Sequence, residues 1–467
     1  MNPNSIANDI SKTHIAFIEF GSYPVRNGNK IRPLVDSAPT FRRICEAIAE
    51  AQHSVWLTIT FMDPDFQMPG DRGTLFDVLD RAVERGLDVR IIFWRPNPES
   101  SGYGQAFLGS DADREMLAAR GSRFRIRWDR TNSKYCQHQK AWLMDAGHES
   151  ETSFVGGINP TFKAFEPGHI GEGHRHDVFV EVTGPSATDV HHNFVQRWNE
   201  ASERLVVDGV WGHNGEDELL FPTRVSTLRG HTQMQIQRQV SPGRYSDSYP
   251  TPGGSPYDIA TGERSVLEQY KQAIDAAQRT IYLENQALPV PEIIAKIEEA
   301  LKRGVDIVLL VPDPESYVLA FHGMDVKKFF DQMETLCRYE NFTLVGIAGP
   351  NGQGGRSNIY IHGKIMLIDD SWATIGSCNL HSNSLYGHTE MNASFWDPKE
   401  VRSIRCQLLD EHLGQDTRQL DDREALRLYR NIARKNQLRR ENGDFDWQGL
   451  AYRMDSTNYG EIKREVT

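Results

Sequence analysis

The chain lacks long apolar runs, paired cysteines and a surplus of cations, and each lack removes a class of function. One of its longer apolar stretches surrounds Val308–Val311, far short of the roughly 20 residues that a membrane-spanning helix needs. The opening MNPNSIANDISKTHIAF has neither the basic start nor the apolar core of a secretory signal. Contact with a membrane is therefore expected to be peripheral. The expected location is cytoplasmic or peripheral to a membrane, with export by a signal-independent route left open. The five cysteines, Cys45, Cys136, Cys337, Cys378 and Cys406, are odd in number and contain no C-x-x-C pair, which argues against a disulfide framework and a cysteine zinc site. Lys and Arg total 52 against 64 Asp and Glu, a net charge of −12. A general nucleic-acid binder carries the opposite balance, so no nucleic-acid partner is expected beyond a local basic groove.

What is present is a repeat. FRRICEAIAEAQHSVWLTITF (41–61) and LEQYKQAIDAAQRTIYLENQA (267–287) each read as an amphipathic helix followed at once by an apolar strand. Phe41, Ile44, Cys45 and Ile48 share one helical stripe; Val266, Tyr270, Ala273, Ile274 and Ala277 share another. AVERGLDVRIIFWRPNP (82–98) parallels ALKRGVDIVLLVPDPES (300–316), with Gly86 and Gly304 at the left-handed position that ends a helix. The pattern predicts an α/β fold: two pseudo-symmetric α-β-α lobes, each a mixed sheet flanked by helices, sharing one central cleft. The expected divisions are an N-terminal lobe over 1–206, a turn-rich connection over 207–262 with one strand near Met234–Val240, and a C-terminal lobe with a charged helical tail over 263–467. The whole is expected to be a monomer.

Within the repeat lies a His-x-Lys-x4-Asp motif in two copies, His138/Lys140/Asp145 and His362/Lys364/Asp369. Each opens an apolar strand, where residues two apart face the same side, so His138 projects with Lys140 and His362 with Lys364. Two imidazoles and two ammoniums around one cleft suit a phosphodiester: cations for the non-bridging oxygens, one imidazole to attack phosphorus, one to protonate the leaving oxygen. Both copies are followed by a Gly-x-x-Asn turn ending at Asn159 and Asn379.

On these residues the sequence resembles the phospholipase D superfamily, over roughly Pro33 to Gly414. IYLENQAL (281–288), HDVFVEVTGPSATDVHHNFVQRW (176–198) and IRCQLLDEHLG (404–414) are similar to segments of the phospholipase D enzymes proper. The resemblance implies a phosphohistidine intermediate, with His138 as nucleophile and His362 as general acid and then base. It implies that Lys140, Lys364, Asn159 and Asn379 hold the phosphate oxygens, and that Asp145 and Asp369 are structural. It also places an orienting carboxylate downstream of each motif, at Asp177 after the first and Glu390 after the second. Ser377 is a plausible donor behind them, although its counterpart is Gly157. The expected reaction is hydrolysis of a glycerophospholipid to phosphatidic acid and headgroup, with water or an alcohol as acceptor, at a phospholipid surface, without cofactor or metal. The alternatives are a nuclease or a cardiolipin synthase-like phosphatidyltransferase of the same superfamily.

Three other features carry expectations. His169, His174 and His176 crowd one loop, read as part of the cleft rim and not as a metal site. Trp94, Phe107, Tyr317, Leu319 and Phe321 could line an acyl pocket. Seven Arg and Lys residues along 421–440 could meet anionic headgroups, or simply form a solvated helix face.

Overall fold

In the computed structural model, residues 14–100, 106–316 and 333–456 are described. Tyr317, Leu319 and Phe321 lie outside them. The architecture is a large mixed sheet flanked by helices. Its first half uses β1 (Arg26–Val35), β2 (Ser54–Ile59), β3 (Asp88–Trp94), β4 (Arg125–Asp129), β5 (Lys140–Met144), β6 (Thr152–Gly156) and β7 (Val178–Thr183). These bond in the order β1-β7-β6-β5-β2-β3-β4, with only β2-β3-β4 parallel. The second half uses β8 (Thr232–Val240), β9 (Thr280–Asn285), β10 (Asp306–Leu310), β11 (Phe342–Pro350), β12 (Lys364–Ile368), β13 (Trp372–Gly376) and β14 (Glu390–Trp396). Their order is β8-β14-β13-β12-β9-β10-β11, with β9-β10-β11 parallel.

The connecting stretch does more than span a gap. Its strand β8 pairs antiparallel with both β14 and β1, so one ladder runs from each half into the other. The halves also share an apolar core in which Ala141, Val155 and Val180 meet Ile236, Ile365, Ile375 and Ala393. Fully buried strands such as β2, β9 and β10 explain why they read as apolar runs without alternation.

The helices follow the periodicity. α1 (Ser37–Glu50) buries Phe41, Ile44, Cys45 and Ile48, and α5 (Ser265–Ala276), counted after α2 (Leu75–Glu84), α3 (Asp111–Arg120) and α4 (Ala187–Asn199), buries Val266, Tyr270, Ala273 and Ile274. Gly86 and Gly304 adopt φ 86° and 85° just past the ends of α2 and α6 (Pro291–Lys302), where a Cβ would be strained. After α7 (Pro398–Leu413), the tail helix α8 (Asp422–Glu441) packs Ala425, Leu426, Tyr429, Ile432 and Ala433 inward. Arg423, Arg427 and Arg430 of that helix converge on Asp306 at 3.3–3.6 Å. That shared carboxylate ties them to the sheet, which weakens the headgroup reading. No helix among the described residues is long and apolar enough to cross a membrane.

Trp94 and Phe107 are core residues, exposed by 1% and 2%. Phe107 stacks among Phe76, Phe93 and Trp128, so neither lines an open acyl pocket.

Candidate active site

The segments just before β5 and β12 cross between the halves. Gln137 bridges in parallel to Thr389, and the His138 N–H donates to the Thr389 carbonyl at 2.8 Å. In the same way Tyr360–Ile361 pairs with Arg175–His176, and the His362 N–H donates to the His176 carbonyl at 2.8 Å. Each histidine is thereby laid beside the carboxylate that follows its partner strand.

The result corrects the sequence-based order, in which each carboxylate followed its own motif. Glu390 serves His138: both its oxygens lie 2.9 Å from His138 Nδ1. Asp177 serves His362, with Oδ2 2.5 Å from Nδ1. The physical reason is the pair of backbone bridges, which join residues across the halves instead of within one. A proton on Nδ1 facing a carboxylate leaves the Nε2 lone pair of each ring for chemistry. All six side chains, including Lys140 and Lys364, are buried. Each lysine turns back to donate to the carbonyl of its own motif histidine, Lys140 to His138 at 2.7 Å.

Burial dominates the electrostatics. It holds both imidazoles well below their ordinary pKa, reinforced by Lys140 and Lys364, so both are neutral in the empty site. The same desolvation pulls Lys140 down to about 7 and Lys364 to about 8, against the pull of Glu390 and Asp177. It raises Asp177 to about 7 and Glu390 above the usual carboxylate range, with Lys364 and Lys140 respectively opposing. Two amines thus sit in a space that disfavours their charged forms, which an entering phosphodiester anion would favour.

Asn159 lines a cleft with His362, Asp177, Lys163 and Arg175, and its Oδ1 accepts the Phe61 N–H at 3.3 Å. Asn379 is buried beyond β13, and its Oδ1 accepts no hydrogen bond among the described residues. The motif aspartates stand apart. Asp145 and Asp369 adopt φ 53° and 54° at the far ends of β5 and β12. There Asp145 accepts the N–H groups of Gln52, His53 and Ser54, while Asp369 accepts those of Gln278, Arg279 and Thr280. They pin the entry to β2 and β9 and touch no motif histidine.

The histidine loop, read from the sequence as part of the cleft rim, is instead anchored in the interior. His169 and His176 are fully buried, because the two oxygens of Asp36 hold them at 3.1 and 2.9 Å. Sequence reasoning missed three neighbours of the site. Ser384 donates to Glu390 at 2.6 Å from the short helix Ser382–Tyr386. Arg175 lies in the cleft with its guanidinium 3.9 Å from the Phe162 ring centroid, and Lys163 lies beside it. None has a counterpart at matching spacing in the other half; the one signal was that Arg175 adjoins His176-Asp177.

Residues 44–198 and 270–411 match a protein family described as cardiolipin synthase, PLD-like domain. Among curated proteins, the chain is 23% identical to phospholipase D A of Dictyostelium discoideum over 83% of its own length, but spans only 34% of that protein. It is 23% identical to a cardiolipin synthase of Listeria welshimeri over 82% of this chain and 69% of that one. It is 20% identical to the probable cardiolipin synthase YwiE of Bacillus subtilis over 87% and 69%. Among solved structures, phosphatidylserine synthase of Haemophilus influenzae Rd KW20 shares the fold with a TM-score of 0.52 and 12% identity, covering 99% of this chain and 94% of that one.

Proposed function

Because the chain belongs to the family of phospholipase D-like domains matched by residues 44–198 and 270–411, we propose that it transfers the phosphatidyl group of a glycerophospholipid to an alcohol through a phosphohistidine. The observation that carries this reading is the pair of crossed imidazole–carboxylate contacts, His138 with Glu390 and His362 with Asp177, around two buried lysines. Lys140, Lys364, Asn159 and Asn379 would receive the non-bridging oxygens. The neutral His138 Nε2 attacks phosphorus while Nε2–H of His362, protonated as the anion enters, gives its proton to the departing headgroup oxygen. His362 then takes the hydroxyl proton of the acceptor, whose oxygen displaces His138 Nε2 and regenerates the free ring.

The choice of an alcohol over water as acceptor is supported by the cardiolipin synthases among the similar proteins. Hydrolysis is the second reading, favoured by the match to phospholipase D A and by the three phospholipase D-like segments. Incubating the protein with phosphatidylglycerol vesicles separates them. Cardiolipin and free glycerol would support transfer, whereas phosphatidic acid alone would support hydrolysis. Cleavage of single-stranded DNA without lipid turnover would overturn both.

A further inference from the structure

The three segments that resemble phospholipase D enzymes converge behind the His362 half of the site. Each delivers one fully buried side chain to the same point: His176, Glu284 and His412. One ligand atom of each lies within 4.8 Å of the other two. The two imidazoles meet edge to face, with centroids 5.1 Å apart, and His176 Nε2 is 3.0 Å from Glu284 Oε2. Beyond that one contact, His176 Nε2 and Glu284 Oε2 have no hydrogen-bond partner among the described residues, and His412 Nε2 is buried with none. Orphaned polar atoms of this kind are rare and costly in a protein interior.

The opposite atom of every one of these groups is engaged. His176 Nδ1 faces Asp36 Oδ1 at 2.9 Å, which fixes its proton on Nδ1. The Tyr282 hydroxyl donates its single proton to Glu284 Oε1 at 2.6 Å. It can therefore only accept from His412 Nδ1, 3.1 Å away, and Tyr429 lies 3.2 Å from the same nitrogen. With a proton on Nδ1, shared by the two hydroxyls, His412 Nε2 presents a lone pair. With His176 neutral, two imidazole lone pairs and a carboxylate oxygen face one another in a dry space, where they repel unless something positive lies between them. A proton on His176 Nε2 would serve Glu284 and still leave His412 Nε2 with nothing. Rings tied by an outer carboxylate or hydroxyl, with the inner nitrogen free, are the arrangement that prepares histidine for a metal.

We infer that His176, Glu284 and His412 bind one first-row divalent cation, of the kind that two imidazoles and a carboxylate hold as zinc. The site lies outside the reaction centre but abuts it. The His176 carbonyl accepts the N–H groups of His362 and Gly363, the next residue Asp177 holds the His362 ring, and a Cβ at position 363 would come within 2.8 Å of Glu284 Oε2. The ion would therefore set the position of one half of the site without touching substrate, and the inference stands whichever acceptor the enzyme uses.

The test is metal content and uptake by the full chain, purified without chelator or metal-affinity resin. Elemental analysis is expected to find about one equivalent of metal, and the stripped protein to take up one equivalent of zinc, or of cobalt with a visible d–d band. His412→Asn keeps a polar atom near the tyrosines but removes Nε2, and Glu284→Gln preserves size; each is expected to weaken uptake at least about 100-fold and abolish the band. Circular dichroism identifies a variant that fails to fold, in which case the other variant carries the comparison. Absence of stoichiometric uptake by the stripped wild-type chain would overturn the inference. So would uptake undiminished in a folded variant.

Discussion

The two imidazole–carboxylate pairs perform one geometric task with different materials. Glu390 reaches His138 with both oxygens at 2.9 Å and also accepts the hydroxyls of Ser377 and Ser384 at 2.5 and 2.6 Å. Asp177 meets His362 through a single 2.5 Å contact and, among the described residues, otherwise accepts only the Val178 N–H at 2.8 Å. Opposite it stands Gly157, where a Cβ would fall 2.5 Å from Oδ1. Hydroxyl donors draw charge from Glu390, so it supports a proton on His138 less, as suits a ring that must attack while neutral. Asp177 has no hydroxyl donor among the described residues, so once ionised it directs its charge to His362, the ring that must carry a proton in the proposed mechanism. Ser377 is thus no incidental neighbour: the serine and the glycine at corresponding turns reflect carboxylates of different reach.

The widest separation between the halves should come from the histidines. His138→Ala and His362→Ala should each lose at least about 10³-fold of turnover on a natural lipid. On a p-nitrophenyl phosphodiester, whose leaving group needs no proton, His362→Ala should still release a burst near one equivalent of nitrophenol, and His138→Ala none. The reverse burst would exchange the two roles. Next, Asp177→Asn should reduce kcat by roughly 100-fold and Glu390→Gln by roughly 10-fold; equal losses would show that the serine hydroxyls do not matter. The turns sharpen this further. Gly157→Ala should approach the Asp177→Asn loss, whereas Ser377→Gly should cost on the order of threefold in kcat.

The motif aspartates should separate from both. Asp145→Ala and Asp369→Ala each orphan three backbone N–H groups, and should cost about 2–4 kcal/mol in urea denaturation while kcat below the transition stays within about twofold. The smallest effect is in pH. Burial lifts the Asp177 carboxyl to about 7, so between its unfolded value near 4 and 7 the folded chain keeps a proton that the unfolded chain has released. Stability from this group therefore falls as pH rises across that window. Asp177→Asn cannot ionise, and its melting temperature relative to wild type should rise by a few degrees between pH 5 and pH 8. A flat difference would remove the raised carboxyl from the account.

The helix–strand units were legible because their signals are local: Phe41 through Ile48 and Val266 through Ala277 mark stripes, and Gly86 and Gly304 mark stops. The histidine–lysine pairs were legible because strand alternation fixes which residues share a face. Which carboxylate serves which histidine was not, since that depends on the bridges of Gln137 to Thr389 and Ile361 to His176, set by long-range packing. Ser384 and Arg175 escaped for the same reason. Asp36 carries no local signal at all, although its carboxylate turns the His169–His176 loop inward. The choice between transfer and hydrolysis rested on segment likeness, and the similar proteins shift the balance towards transfer.

The crossed bridges make the reaction centre a coincidence device. A polypeptide cut within 212–231 should yield two inert fragments, and activity should return only as the β1–β8 ladder re-forms between them. Fragment complementation would then report assembly of that ladder with turnover as its signal, and a nascent chain would stay chemically silent until Glu390 had been synthesised and folded against His138.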